Sequence, residues 1–86
     1  MEKQHFVYML KCKDDTFYIG YTTDLDRRVE EHNTSPKGAK YTRGRRPIKL
    51  VYHVACNTRS DATKLEWELK KLTRQQKEGL LHKEKS

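Results

Sequence analysis

Apolar and aromatic side chains fall in three short blocks along this chain, with charged stretches between them. Phe6-Val7-Tyr8-Met9-Leu10-Lys11-Cys12 and Thr16-Phe17-Tyr18-Ile19-Gly20-Tyr21-Thr22 are rich in aromatic and β-branched residues and are separated only by Lys13-Asp14-Asp15. They read as a β-hairpin. Side chains alternate with a period of two along a strand, so Tyr8 and Tyr18 share a face only if the turn holds an odd number of residues or a bulge shifts the register. A three-residue turn at Asp14-Asp15-Thr16, pairing Lys13 with Phe17, meets that condition. A third strand is expected from Ile48 to Cys56, around Leu50-Val51-Tyr52-His53-Val54 and before the polar breaker Asn57-Thr58-Arg59-Ser60.

Elsewhere the period is helical. Thr23 or Asp24 is placed to cap a helix running to about Asn33, with Asp24 and Asp26 in the first turn where the helix dipole favours acid. At about 100° per residue, Leu25, Arg28, Val29 and His32 share one face. Arg27, Glu30 and Glu31 point elsewhere, as solvated charges should. A guanidinium and an imidazole on a core-facing stripe are costly to bury, so their presence there asks for a reason. A second helix is predicted from Ser60 or Asp61, with Ala62, Leu65, Leu69 and Leu72 as its apolar stripe and Glu66 on the rim. Trp67 points almost directly away from that stripe. A third helical piece, about Thr73 to Leu81, is expected to cover Trp67 through Leu80 and Leu81, although Gly79 weakens it; the alternative for Trp67 is a recognition role. His82 to Ser86 reads as a loose tail.

These elements, β-β-α-β-α-α in order, predict one α+β domain over 1–86: a three-stranded, largely antiparallel sheet flanked by helices. The 86 residues leave room for one modest core. Nineteen Lys and Arg against twelve Asp and Glu give a formal charge of +7, which makes a polyanion, nucleic acid first, the expected partner. The stretch from Thr34 to Pro47 concentrates that charge. Lys37, Lys40, Arg43, Arg45 and Arg46 could neutralise phosphates there, with Tyr41 stacking on an unpaired base; the plainer alternative is a solvated turn. Phe6 to Leu10 is too short for a membrane span or a secretory segment, so a cytoplasmic protein is expected. Cys12 and Cys56 are far apart in sequence and form no metal half-site, and His5, His53 and His82 show no ligand spacing.

The ordered set Tyr8, Tyr18-Ile19-Gly20, Arg28, His32 and Glu66 resembles the GIY-YIG endonuclease domain over nearly the whole chain. The stretch GAKYTRGRRPIKLVY is similar to the small stand-alone bacterial members. The second triplet is intact, whereas Phe6-Val7-Tyr8 retains only the tyrosine of the first. Tyr21 stands where several active relatives carry lysine, and no counterpart of a late bracing asparagine is evident.

The resemblance implies a nuclease that hydrolyses phosphodiester bonds in DNA or RNA, with DNA placed ahead of RNA, using one Mg²⁺ or Mn²⁺. Glu66 would be the lone protein ligand to that ion, waters and phosphate oxygens completing the shell. Arg28 would meet the scissile phosphate in forked geometry. Tyr8 would be the base or its relay and Tyr18 would position water or phosphate. His32 would activate a tyrosine or hold the phosphate. Gly20 would allow a close approach of the backbone to helix or substrate.

Taken singly, each residue has a plainer role. The tyrosines could be packing groups, Arg28 could snorkel past Leu25, His32 could favour the helix C-terminus, and Glu66 could pair with Lys70 at i, i+4. The rival function is a catalytically weak or silent nucleic-acid-binding module on the same fold. A protein-interaction domain is a third. No second DNA-binding domain is expected, so a specific cut would need a partner protein or an unusual substrate.

Overall fold

The computed structural model describes residues 4–34, 42 and 44–83, the side chains of His82 and Lys83 aside. The chain runs β1 (His5–Lys11), β2 (Phe17–Thr22), α1 (Leu25–Thr34), β3 (Lys49–Cys56), α2 (Arg59–Lys70) and α3 (Arg74–Lys83). The expected order and the antiparallel sheet are both present, with strands arranged β2-β1-β3. No helix among the described residues is long and apolar enough to cross a membrane.

Central strand β1 is covered on both sides, which explains why Val7, Tyr8, Met9 and Leu10 are all buried. Its alternation divides the interior in two. Val7 and Met9 join Ile19, Ala62 and Leu69 beneath α2, with Leu80 and Leu81 of α3 packed against them. Tyr8 and Leu10 face the other way and join Cys12 and Ile48, against which Leu25 and Val29 of α1 are laid. A bulge lies where the β1–β3 register slips between Met9, opposite Tyr52, and Leu10, opposite Leu50. The extra residue is Val51, and both Val51 and Tyr52 consequently pack on the α2 side.

The hairpin corrects one expectation and satisfies its purpose. Lys11, not Lys13, pairs with Phe17, so the connection is the five-residue Cys12–Thr16 loop. Cys12 N–H donates to the Thr16 carbonyl at 2.9 Å, and Asp14 accepts from the Thr16 hydroxyl at 2.6 Å. Asp15 takes the left-handed conformation, φ 65°, which aspartate tolerates better than most residues. Five residues make a longer loop than three, but five is also odd. Tyr8 and Tyr18 therefore still share a face, with Tyr8 opposite Gly20 and Tyr18 opposite Leu10.

Helix ends follow local chemistry. Asp24 caps α1 by accepting from Arg27 N–H at 3.2 Å. Thr58 caps α2 by accepting from Asp61 N–H at 3.1 Å, so α2 begins slightly earlier than the apolar stripe alone indicated. Thr73 and Gln76 form a reciprocal capping box at the start of α3, at 3.2 and 2.9 Å. Helix α3 continues to Lys83, so the first two residues of the expected loose tail are helical, and 84–86 lie outside the described residues. Trp67 is also a correction: because Leu80 and Leu81 turn to the core, it is left 60% exposed.

Candidate active site

Tyr8 occupies the middle of β1, where both neighbouring strands and α1 close around it. The phenol is 1% exposed. Space for its ring comes from its cross-strand partner Gly20: a Cβ there would overlap the Tyr8 hydroxyl and stand 2.6 Å from its ring carbon Cζ. The glycine of the Tyr-Ile-Gly triplet thus leaves room for the tyrosine of the neighbouring strand. Burial pushes the Tyr8 hydroxyl up to about 12, against the opposing pull of a hydrogen bond from Arg28.

His32 reaches the same point from the last turn of α1 and is wholly buried. Tyr8 Oη and His32 Nε2 are 2.9 Å apart, and His32 Nδ1 is 3.0 Å from Thr42 Oγ1. Burial, then the positive charge of Arg28 and, more weakly, of Arg46, pulls the imidazole down to about 4, only partly opposed by Glu31. At neutral pH the pair is therefore a protonated phenol and a neutral imidazole. A neutral imidazole has one N–H donor and one acceptor nitrogen, so His32 donates on one side and accepts on the other, between the Tyr8 phenol and the Thr42 hydroxyl.

The remaining groups stand around this pair. The Tyr18 ring centroid lies 5.2 Å from that of His32. Arg28 pairs with Glu31 at 3.2 Å, so Glu31 is part of the cluster and not the solvated charge expected of it. Arg28 and Glu31 are both half-buried, which gives this pair more weight than an exposed one. Glu66 is on the rim of α2 as anticipated, where it accepts from Lys70 at 2.9 Å. Its charge is felt at Tyr8 as a small upward push on the phenol. Four of the five candidate residues thus meet through hydrogen bonds or ring contact, while Glu66 makes its ion pair with Lys70.

Of the basic stretch, Lys37, Lys40, Tyr41 and Arg43 lie outside the described residues. Arg45 and Arg46 are engaged within the molecule. Arg45 pairs with Asp14 of the hairpin loop at 3.0 Å, and Arg46 donates to the His32 carbonyl at 2.7 Å. Asn33, unremarked in the sequence, clasps Ile48 twice, donating to its carbonyl at 2.9 Å and accepting from its N–H at 2.7 Å. Together these bonds fasten the end of α1 to the start of β3. Thr42 was also missed, because nothing in a basic, turn-rich stretch marks one threonine as buried.

No group of three or more His, Cys, Asp or Glu side chains suited to a metal occurs among the described residues. A single carboxylate on an accessible rim does fit Mg²⁺ or Mn²⁺ held largely by water and substrate oxygens, the arrangement Mg²⁺ accepts most readily. Lys70 would have to release Glu66 for such binding.

Comparison with known proteins shows the family and the fold. The family described as the GIY-YIG catalytic domain matches residues 4–79. The chain belongs to the GIY-YIG family. A UPF0213 protein of Haloquadratum walsbyi is 50% identical over 93% of this chain and 89% of its own length. One from Staphylococcus epidermidis is 53% identical over 86% and 89%. Two relatives solved in solution by NMR share the fold: the UPF0213 protein of Bacillus halodurans (51% identity, TM-score 0.59, 92% of this chain and 83% of that one) and a protein of E. faecalis (48%, 0.65, 95% and 86%). The GIY-YIG relatives are thus small stand-alone proteins of bacteria and archaea. Membership places the chain in a nuclease family and implies interaction with nucleic acid; the names of the relatives assign no substrate.

Proposed function

We propose that this GIY-YIG protein is a divalent-metal-dependent nuclease hydrolysing phosphodiester bonds, with DNA the first substrate and RNA the second. The observation that supports it most is the buried Tyr8–His32 hydrogen bond with Arg28 on the phenol and Tyr18 alongside. Packing alone rarely assembles two phenols, a guanidinium and an imidazole on one sheet face.

Magnitudes select a role for Tyr8. With a pKa of about 12, holding it as a free phenolate at pH 7 would cost about 7 kcal/mol. Protonating His32, at about 4, would cost about 4 kcal/mol. Relay is therefore the cheaper route: the phenol oxygen takes a proton from the attacking water while its own hydrogen passes to His32 Nε2. Arg28 gates that step. In the free protein it occupies the phenol oxygen, and turning to the anionic phosphate it exposes a lone pair and leaves its charge on the non-bridging oxygens. Tyr18, less buried than Tyr8, orients the water or the phosphate. Glu66 would hold the Mg²⁺ or Mn²⁺, which supplies charge stabilisation to the phosphate and leaving oxygen.

The decisive measurement is cleavage of labelled single- and double-stranded DNA and RNA with Mg²⁺, with Mn²⁺ or with chelator, using the wild type, Glu66→Ala and Arg28→Ala. Metal-dependent products are expected from the wild type, falling at least about 10²-fold in either variant, while nucleic-acid binding largely survives. Binding without cutting under every condition would favour the silent-module reading, for which Tyr21 and the Glu66–Lys70 pair already give some ground.

A further inference from the structure

Trp67 is the one large apolar side chain exposed among the described residues, and it is the chain's single tryptophan. One exposed apolar residue means little alone; its surroundings give it content. Lys71 Nζ stands 3.4 Å from the centre of the indole ring, and Lys64 lies one helical turn before Trp67 on the same exposed face. The neighbouring acids are placed otherwise: Glu66 is engaged by Lys70, and Asp61 and Glu68 fall about a quarter turn or more around α2.

We propose that Trp67, flanked by Lys64 and Lys71, is a stacking platform for an unpaired base of single-stranded nucleic acid. A flat ring between two flexible ammonium groups matches the repeating chemistry of such a strand, a π-face joined to a phosphate, without selecting sequence. The Lys71 contact is an exposed cation–π pair and yields readily: the ammonium moves to a phosphate as the base takes its place. The net charge of +7 draws the polyanion to the surface. This proposal rests on the nuclease reading for the nature of the polyanion and requires no cleavage.

The test exploits the lone indole. In chelator, where nothing is cut, intrinsic fluorescence is titrated with oligo-dT, with an abasic oligomer of equal length and with duplex, while anisotropy of a labelled strand reports binding independently. Oligo-dT is expected to quench the emission strongly and the abasic strand and duplex weakly. Trp67→Ala should weaken binding of oligo-dT roughly ten-fold, Trp67→Phe less, and a Lys64→Ala/Lys71→Ala variant should flatten the salt dependence. Thermal melts check that the surface variants fold. Bound oligo-dT with unchanged emission, or equal affinity in Trp67→Ala, overturns the platform while leaving the nuclease reading intact. So does emission that responds to anionic vesicles or to protein concentration but not to oligo-dT. Wild type that binds no nucleic acid by anisotropy overturns both.

Discussion

His32 is a titratable group folded in its neutral form, and pH should expose that. Its pKa falls from 6.5 to about 4 on folding, so between those values the unfolded chain takes up a proton that the native one refuses. Stability is then full above about pH 6.5 and declines as pH falls toward 4, by about 3 kcal/mol in all. Urea midpoints across this window should show the decline, and His32→Gln should remove most of it; an equal slope in the variant would assign the effect elsewhere. Tyr8 carries the opposite sign: raised from 10.0 to about 12, it withdraws stability only as pH rises above about 10. Thr42 supports His32 at Nδ1. Thr42→Val keeps the shape and removes that partner, so a loss of about 1–3 kcal/mol is expected together with slower cleavage, while Thr42→Ser should recover much of both. Chemical denaturation and single-turnover cleavage of the two variants provide the check, with no difference between them as the contrary result.

At the scale of elements, the β1–β2 pair carries the site. Gly20→Ala places a methyl group against the Tyr8 phenol, and overpacking of this kind costs about 1–3 kcal/mol. The ring must shift, so the Tyr8–His32 bond should weaken and cleavage should fall more than stability does; a fully active Gly20→Ala would show that the ring tolerates displacement. Much of this layer was legible in sequence because it rests on periodicity. The stripe of Leu25, Arg28, Val29 and His32 foretold that two polar groups enter the interior, and parity tied the shared face of the two phenols to an odd turn. The length of the hairpin loop was not legible, since odd turns of three and five residues give the same facing and only the observed pairing of Lys11 with Phe17 distinguishes them. Trp67 was misjudged for a related reason: a wheel tells which way a side chain points, but not whether the next helix spends its leucines covering it or filling the core. Thr42 and Asn33 act through single long-range hydrogen bonds, which leave no periodic trace.

For the whole molecule, charge and layering decide behaviour. A formal +7 on 86 residues predicts that affinity for nucleic acid falls steeply with salt, with a log–log slope of about −0.7 per phosphate neutralised on single strands. Filter binding between low and physiological salt would measure it, and a flat response would argue against a phosphate-led interaction. The α+β class and its order followed from three apolar blocks and two helical stripes. What composition could not convey is that α1 and α2 sit on opposite sides of a single sheet.

That arrangement makes β1 a party wall. Odd-numbered residues such as Val7 and Met9 serve one side while Tyr8 and Leu10 serve the other, so inserting or deleting one amino acid within the strand would exchange the tenants of both rooms at once. Length variation is correspondingly unwelcome in this strand, and changes of a single residue's identity are the only gentle route by which the chemistry here could drift.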